Sequence, residues 1–142
     1  MDAKSYRELF AWQNSMAVVK IVYTQSQSWP REELIGLTSQ IRRAAVSVPA
    51  NIAEGQGRTG KREFAHHLSI AKGSLHELET LILIASDLHY LDRVVCNALL
   101  AQTDEVGRLI GGLLRSLRLN NSVPSHDSRP TTHDSRLIRR QQ

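Results

Sequence analysis

Apolar residues recur through most of this chain at alternating steps of three and four. That spacing confines it to helices that must bury one side against each other. Leu9, Trp12, Met16, Val19 and Tyr23 form the first line. Leu34, Leu37, Ile41, Ala45, Val48 and Ile52 form the second, and Phe64, Leu68, Ala71, Leu75, Leu78, Ile82 and Ala85 the third. Val95, Leu99, Gln102, Val106, Ile110, Leu113 and Leu117 form the fourth. An α-helix returns to the same side every 3.6 residues, so each line is one helix face. The breaks fall at Ser28-Trp29-Pro30, at residues 55–60 and at His89-Tyr90-Leu91-Asp92. Pro30 suits the first turn of the second helix, with Glu32 and Glu33 near its positive end. Asp92 suits the N-cap of the fourth. No stretch has the alternation of a strand. The expected fold is all-α: an antiparallel up-down-up-down four-helix bundle over residues 1–119. Residues 120–142 contain Pro124, Pro130, many Ser and Thr, and a repeat, His126-Asp127-Ser128-Arg129 then His133-Asp134-Ser135-Arg136. They are expected to form a flexible polar and basic tail.

Two features exceed what a lone bundle needs. Leu81, Leu83 and Ile84 lie off the third line, and Val18, Ile21 and Val22 widen the first. A helix apolar beyond one stripe has a second surface to bury, which points to self-association. Pro49 falls inside the second helix, where it frees the carbonyl of Ala45 and is expected to kink the backbone; Ser47 or Asn51 are the neighbours able to compensate.

The stretch AEGQGRTGKREF, residues 53–64, contains both G-x-G-x-x-G and most of a phosphate-binding loop. A phosphate-binding loop needs a strand before it and Ser or Thr after its lysine, yet Lys61 is followed by Arg62. A dinucleotide fingerprint needs a strand-loop-helix unit, and the residues here have helical period. The glycines read better as a joint: Gly55 or Gly57 in the left-handed conformation that ends a helix, and Gly60 with Glu63 as a variant capping box. Lys61 and Arg62 then sit at the positive end of the third helix, with Arg58 before it. Exposed amides and three cations suit a backbone phosphate without forming a nucleotide pocket.

The net charge of +4 is modest, but it is unevenly spread. Residues 36–73 hold six basic side chains against two acidic ones, whereas residues 74–107 hold one basic against six acidic. One part of the chain attracts polyanions and another repels them, although ordinary solvated helix faces give the same counts. Catalysis and cofactors find little support. Glu63-x-x-His66 is half of a di-iron motif whose other half is missing, and His66 and His67 are neighbours that cannot share a helix face. His67 is expected in a surface pair with Glu63. No metal site, cofactor or enzyme activity is expected. Cys96 is the single cysteine, which excludes an internal disulfide and fits a buried apolar role. The charged start of the chain and the absence of an apolar run of about 20 residues point to a cytoplasmic protein with no membrane partner.

The stretch GLTSQIRRAAVSVPANIAEG, residues 36–55, closely resembles the bacterial four-helix-bundle family encoded in intervening sequences of 23S ribosomal RNA genes, the S23-type family. FAWQNSM near the start, KREFAHHLSIAKGSLHELETLILIASDL in the third helix and LIGGLLRSL in the fourth extend the likeness over residues 6–117. The accessory variability determinant of diversity-generating retroelements is similar to that family. Gly60 departs from the pattern, where Ser is frequent. The resemblance implies a homopentamer of bundles with a basic surface and no catalysis; for the retroelement relative it also implies a reverse transcriptase partner. On this reading Arg42, Arg43, Arg58, Lys61, Arg62 and Lys72 contact the phosphates of structured RNA or DNA. No aromatic residue stands among them except Phe64, which the core claims, so binding should follow the backbone rather than the bases. The competing reading is a protein-interaction scaffold whose cations are spent on ion pairs between subunits; a metal- or ligand-binding bundle is a third.

Overall fold

The computed structural model describes residues 5–121. Their regular structure is entirely helical. A short 3-10 turn (Tyr6–Glu8) leads into α1 (Phe10–Ser26); a second 3-10 turn (Arg31–Glu33) precedes α2 (Leu37–Gly57); α3 (Lys61–Asp87) and α4 (Arg93–Asn121) follow. Each helix packs on its sequence neighbour, α4 closes the ring against α1, and the diagonal pairs do not approach. Cross-helix hydrogen bonds fix the directions. Ser47 meets Ser74 and Asn51 meets His67, so numbers rise along α2 as they fall along α3. The bundle is antiparallel, as short connections between neighbouring helices require. The polar tail expected over residues 120–142 lies, beyond Asn121, outside the described residues.

The third line of apolar residues is the clearest match between pattern and core. Leu68, Ala71, Leu75, Leu78, Ile82 and Ala85 are all buried, with Phe64 packed at the margin. The second line holds from Leu37 to Ile52, but Leu34 is exposed. Pro30 does not begin the helix. It introduces the 3-10 turn, in which Leu34 N–H donates to Arg31 O and Gly36 N–H to Glu33 O, and α2 starts only at Leu37. The first line is displaced by one position. The buried face of α1 is Ala11, Ser15, Val18, Val22 and Ser26, while Trp12, Met16 and Val19 are half-buried and Tyr23 is exposed. On α4, Thr103 is buried in place of Gln102.

Much of the surplus apolar surface is core. Val18, Val22 and Leu81 are buried and Ile21 packs against them. Leu83 and Ile84 do remain outside, together with Leu34, Ile35, Leu88 and Val94. In the antiparallel topology all six belong to the end of the bundle that carries the connections 27–36 and 88–92.

Helix ends are secured by specific bonds. Asp92 Oδ1 accepts the N–H of Val95 at 2.8 Å and caps α4 as expected. At the end of α3, His89 N–H donates to Ser86 O and Tyr90 N–H to Ala85 O, the paired bonds of a Schellman motif. His89 supplies its left-handed residue, with φ 62°. Tyr90 then lies against Trp29, ring centroids 5.7 Å apart, tying the two connections together. Inside α2, Pro49 is buried and the helix runs through it. Asn51 Nδ2 donates to Ser47 O at 2.8 Å and lies 3.1 Å from Ser47 Oγ, so these two side chains bond to each other and not to the Ala45 carbonyl that Pro49 frees.

Candidate nucleic-acid interface

The joint between α2 and α3 is formed without any left-handed glycine. Gly55 and Gly57 are both inside α2, no described glycine has positive φ, and the chain leaves the helix through an extended Arg58. Gly55 serves another purpose. A Cβ built on it would lie 2.6 Å from His67 Cβ and 3.1 Å from Phe64 Cδ1, so its missing side chain lets α3 pass close to α2. At Gly57 and Gly60 a Cβ would meet nothing. Gly60 precedes α3 in an extended conformation, and no side chain caps the helix. The first amides of α3 therefore face outward without helical acceptors.

Around this joint the sequence places three of its six predicted cations. Arg58, Lys61 and Arg62 are all exposed. Arg58 and Arg62 line one open depression of about 510 Å³ together with Glu63, His66 and His67. Arg58 Nη2 donates to Glu54 Oε1 at 2.8 Å, one helical turn away. That hydrogen bond, aided by the nearby His67 ring, holds the Glu54 carboxyl below its ordinary range; the same bond and the Glu54 charge, with Glu63 behind them, raise the Arg58 guanidinium. No described carboxylate forms an ion pair with Lys61 or Arg62.

The other three predicted cations are dispersed. Lys72 is exposed on α3, about three turns beyond Lys61 and so on the same side of that helix. Arg43 lines a separate depression of about 450 Å³ with Gln40, Ala44, Ser47, Ser74 and Glu77. Arg42 turns the opposite way, toward α1. Its Nε donates to Ser26 Oγ at 2.9 Å and its guanidinium lies 4.7 Å from the centre of the Tyr23 ring. Adjacent helical residues point about 100° apart, which is why this pair divides between two interfaces.

His67 is not the surface partner of Glu63 that its spacing suggested. It is half-buried, and its Nδ1 lies 3.2 Å from Asn51 Oδ1 across the interface. Asn51 and Ser47 continue this polar line to Ser74, whose Oγ lies 2.8 Å from Ser47 Oγ. The available signal was a pair of helical spacings: Asn51 is four positions after Ser47, and Ser74 is seven positions after His67. Both intervals keep polar residues on one helix face, and antiparallel packing brings the two faces together. Among the described residues no three His, Cys, Asp or Glu side chains converge in a metal-binding group, and no helix is long and apolar enough to cross a membrane.

The family model described as 23S rRNA-intervening sequence protein matches residues 7–112. A crystal structure of a protein with unknown function from the S23 ribosomal protein family of Bacteroides thetaiotaomicron is similar in fold, with a TM-score of 0.67 and 21% sequence identity over 74% of this chain and 98% of that one. No curated protein matches the sequence.

Proposed function

The chain belongs to the 23S rRNA-intervening sequence protein family, and from that premise we propose that it is a non-enzymatic, self-associating protein that binds the phosphate backbone of structured RNA. The observation that carries this reading is the joint between α2 and α3. Arg58, Lys61 and Arg62 are exposed together there, beside uncapped amides at the positive end of a helix. Lys72 extends the surface along α3, and Arg43 offers a second, separate contact. Arg42 contributes to the α1–α2 interface instead. Self-association is supported by Leu34, Ile35, Leu83, Ile84, Leu88 and Val94, which concentrate exposed apolar side chains at one end of the bundle. The cationic joint lies at the other end, so copies joined through the apolar end keep their basic surfaces free and gain avidity. A cytoplasmic setting accords with this role.

The test is binding to a labelled RNA hairpin at low and moderate salt. Affinity is expected to fall steeply, because each neutralised phosphate releases counterions. The double substitution Lys61→Glu, Arg62→Glu should remove most binding and flatten the remaining salt dependence. No binding at low salt, or binding insensitive to both salt and charge reversal, rejects the proposal. Capture of a protein partner that survives this charge reversal, by a bundle that binds no RNA, favours a scaffold.

A further inference from the structure

The half-buried His67 lines the depression at the α2–α3 joint beside Arg58 and Arg62. The backbone oxygen of Ser47 can only accept. Asn51 must therefore turn its Nδ2 toward Ser47 O, as the 2.8 Å contact requires. That leaves Asn51 Oδ1, also an acceptor, facing His67 Nδ1 at 3.2 Å. The proton of a neutral His67 is thus held on Nδ1, and Nε2 has only a lone pair to offer. No described residue hydrogen-bonds Nε2, and it is not sealed inside the bundle. Gly55 fixes the place of this ring, because its bare Cα admits the Cβ of His67 against α2.

A site built only for phosphates has no use for a lone pair. The group next to a backbone phosphate that can donate to one is the ribose 2′-hydroxyl, which DNA lacks. We propose that Asn51 holds His67 as the Nδ1–H tautomer so that Nε2 accepts a hydrogen bond from a ribose 2′-hydroxyl, giving the site a preference for RNA over DNA. This rests on the nucleic-acid reading above and names the sugar it selects. Arg58 and Arg62 hold the flanking phosphates, and Asn51 is a positioning residue that acts through His67. Two carboxylates, Glu54 and Glu63, also lie near the ring. Glu54 is engaged by Arg58. Glu63 is exposed, and its charge opposes the phosphates that must lie beside it.

One hairpin sequence, made as RNA, as DNA and as 2′-O-methyl RNA, separates the possibilities in a fluorescence-anisotropy titration at low salt and about pH 8. RNA should bind about fivefold more tightly than the other two, the worth of one ordinary hydrogen bond. The 2′-O-methyl strand keeps the RNA helix form but loses the donor. If it binds as well as RNA, shape is being read and the inference fails. Equal binding of all three overturns the inference and leaves the proposed function standing, whereas no binding of any of them removes both. His67→Phe should close the gap between RNA and DNA, and Glu63→Gln should keep it; the reverse result transfers the role to Glu63 and overturns the assignment. Long-range proton–nitrogen spectra of the free protein should show His67 protonated on Nδ1, and Asn51→Ala should shift that proton toward Nε2. A wild-type ring protonated on Nε2 overturns the proposal without any ligand present.

Discussion

Replacing Gly55 by alanine adds one methyl group where α2 and α3 come closest. The new carbon would stand 2.6 Å from His67 Cβ, and that carbon is attached directly to the α3 backbone. No rotamer change can move it. Carbon atoms pack comfortably at about 3.5 Å or more, so the helices must separate locally by roughly 1 Å. Overpacking of this kind costs about 1–3 kcal/mol. Alanine returns about 1 kcal/mol of helix propensity. The same displacement would stretch the 3.2 Å Asn51–His67 contact beyond hydrogen-bond range. With about 1 kcal/mol more for that lost hydrogen bond, the expected net change is a loss of about 1–3 kcal/mol, or very roughly 4–12 °C in melting temperature for a bundle of this size. Gly73→Ala is the internal control. Gly73 is exposed within α3 and a Cβ there meets nothing, so only the propensity gain of up to about 1 kcal/mol remains. Urea unfolding followed by far-UV circular dichroism, at matched protein concentration because self-association adds stability, measures both. A Gly55→Ala protein as stable as the parent, or a shift in the same direction for both substitutions, would show that the close approach at Gly55 carries no steric cost.

Two further substitutions test other parts of the account. His89→Gly should raise stability by about 0.5–1 kcal/mol in a thermal melt, since the left-handed position it occupies suits glycine better; a less stable protein would mean that the His89 side chain makes a contact worth more than its backbone costs. Glu54→Gln should give a small loss of stability at neutral pH that disappears in acid. The Glu54 carboxyl is held low, first by the hydrogen bond from Arg58 and then by the charge of His67. A depressed carboxylate contributes stability above its unfolded pKa and loses it as pH falls through the lower, folded value. The Arg58–Glu54 pair is open to solvent, which keeps the effect small. The same change frees Arg58 and should raise RNA affinity about twofold to fivefold at neutral pH and low salt; unchanged affinity counts against Arg58 as a phosphate contact.

The helices were legible where burial followed hydropathy alone, and illegible where a small polar side chain does the work of an apolar one. On α3 every residue from Leu68 to Ala85 in the expected line is buried. On α1 the large apolar residues pointed to the wrong line by one position. Ser15 and Ser26 are buried instead, and each hydroxyl donates to a carbonyl three residues back, Trp12 O at 2.9 Å and Tyr23 O at 3.4 Å. Thr103 does the same toward Leu100 O on α4, displacing Gln102 from the core line. A hydroxyl satisfied by its own helix packs almost like alanine, and its small size admits a neighbouring helix closely. Hydropathy gives such residues no weight. Among the candidate site residues, the cations at 58, 61 and 62 could be grouped from sequence because they are consecutive around one joint. Arg42 and Arg43 could not be separated into two interfaces without knowing which neighbour lies on each side of α2.

The glycines of residues 53–64 show why spacing misled at this joint and how the site depends on the fold. In a phosphate-binding loop, glycines let backbone amides wrap an anion after a strand. Here Gly55 is still helical, and the space it leaves is filled by the opposite helix. That close approach brings Asn51 within reach of His67, whereas a Cβ at position 55 would push the ring away. The cations depend on it less, since Arg58 and Lys61 belong to the connection and the first turn beyond it. Gly55→Ala should therefore act unequally on binding: phosphate affinity, read with DNA, should change little, while the additional affinity for RNA should fall. Equal loss for both strands would mean that the substitution disrupts the whole joint, and equal retention would mean that the ring needs no support from α2.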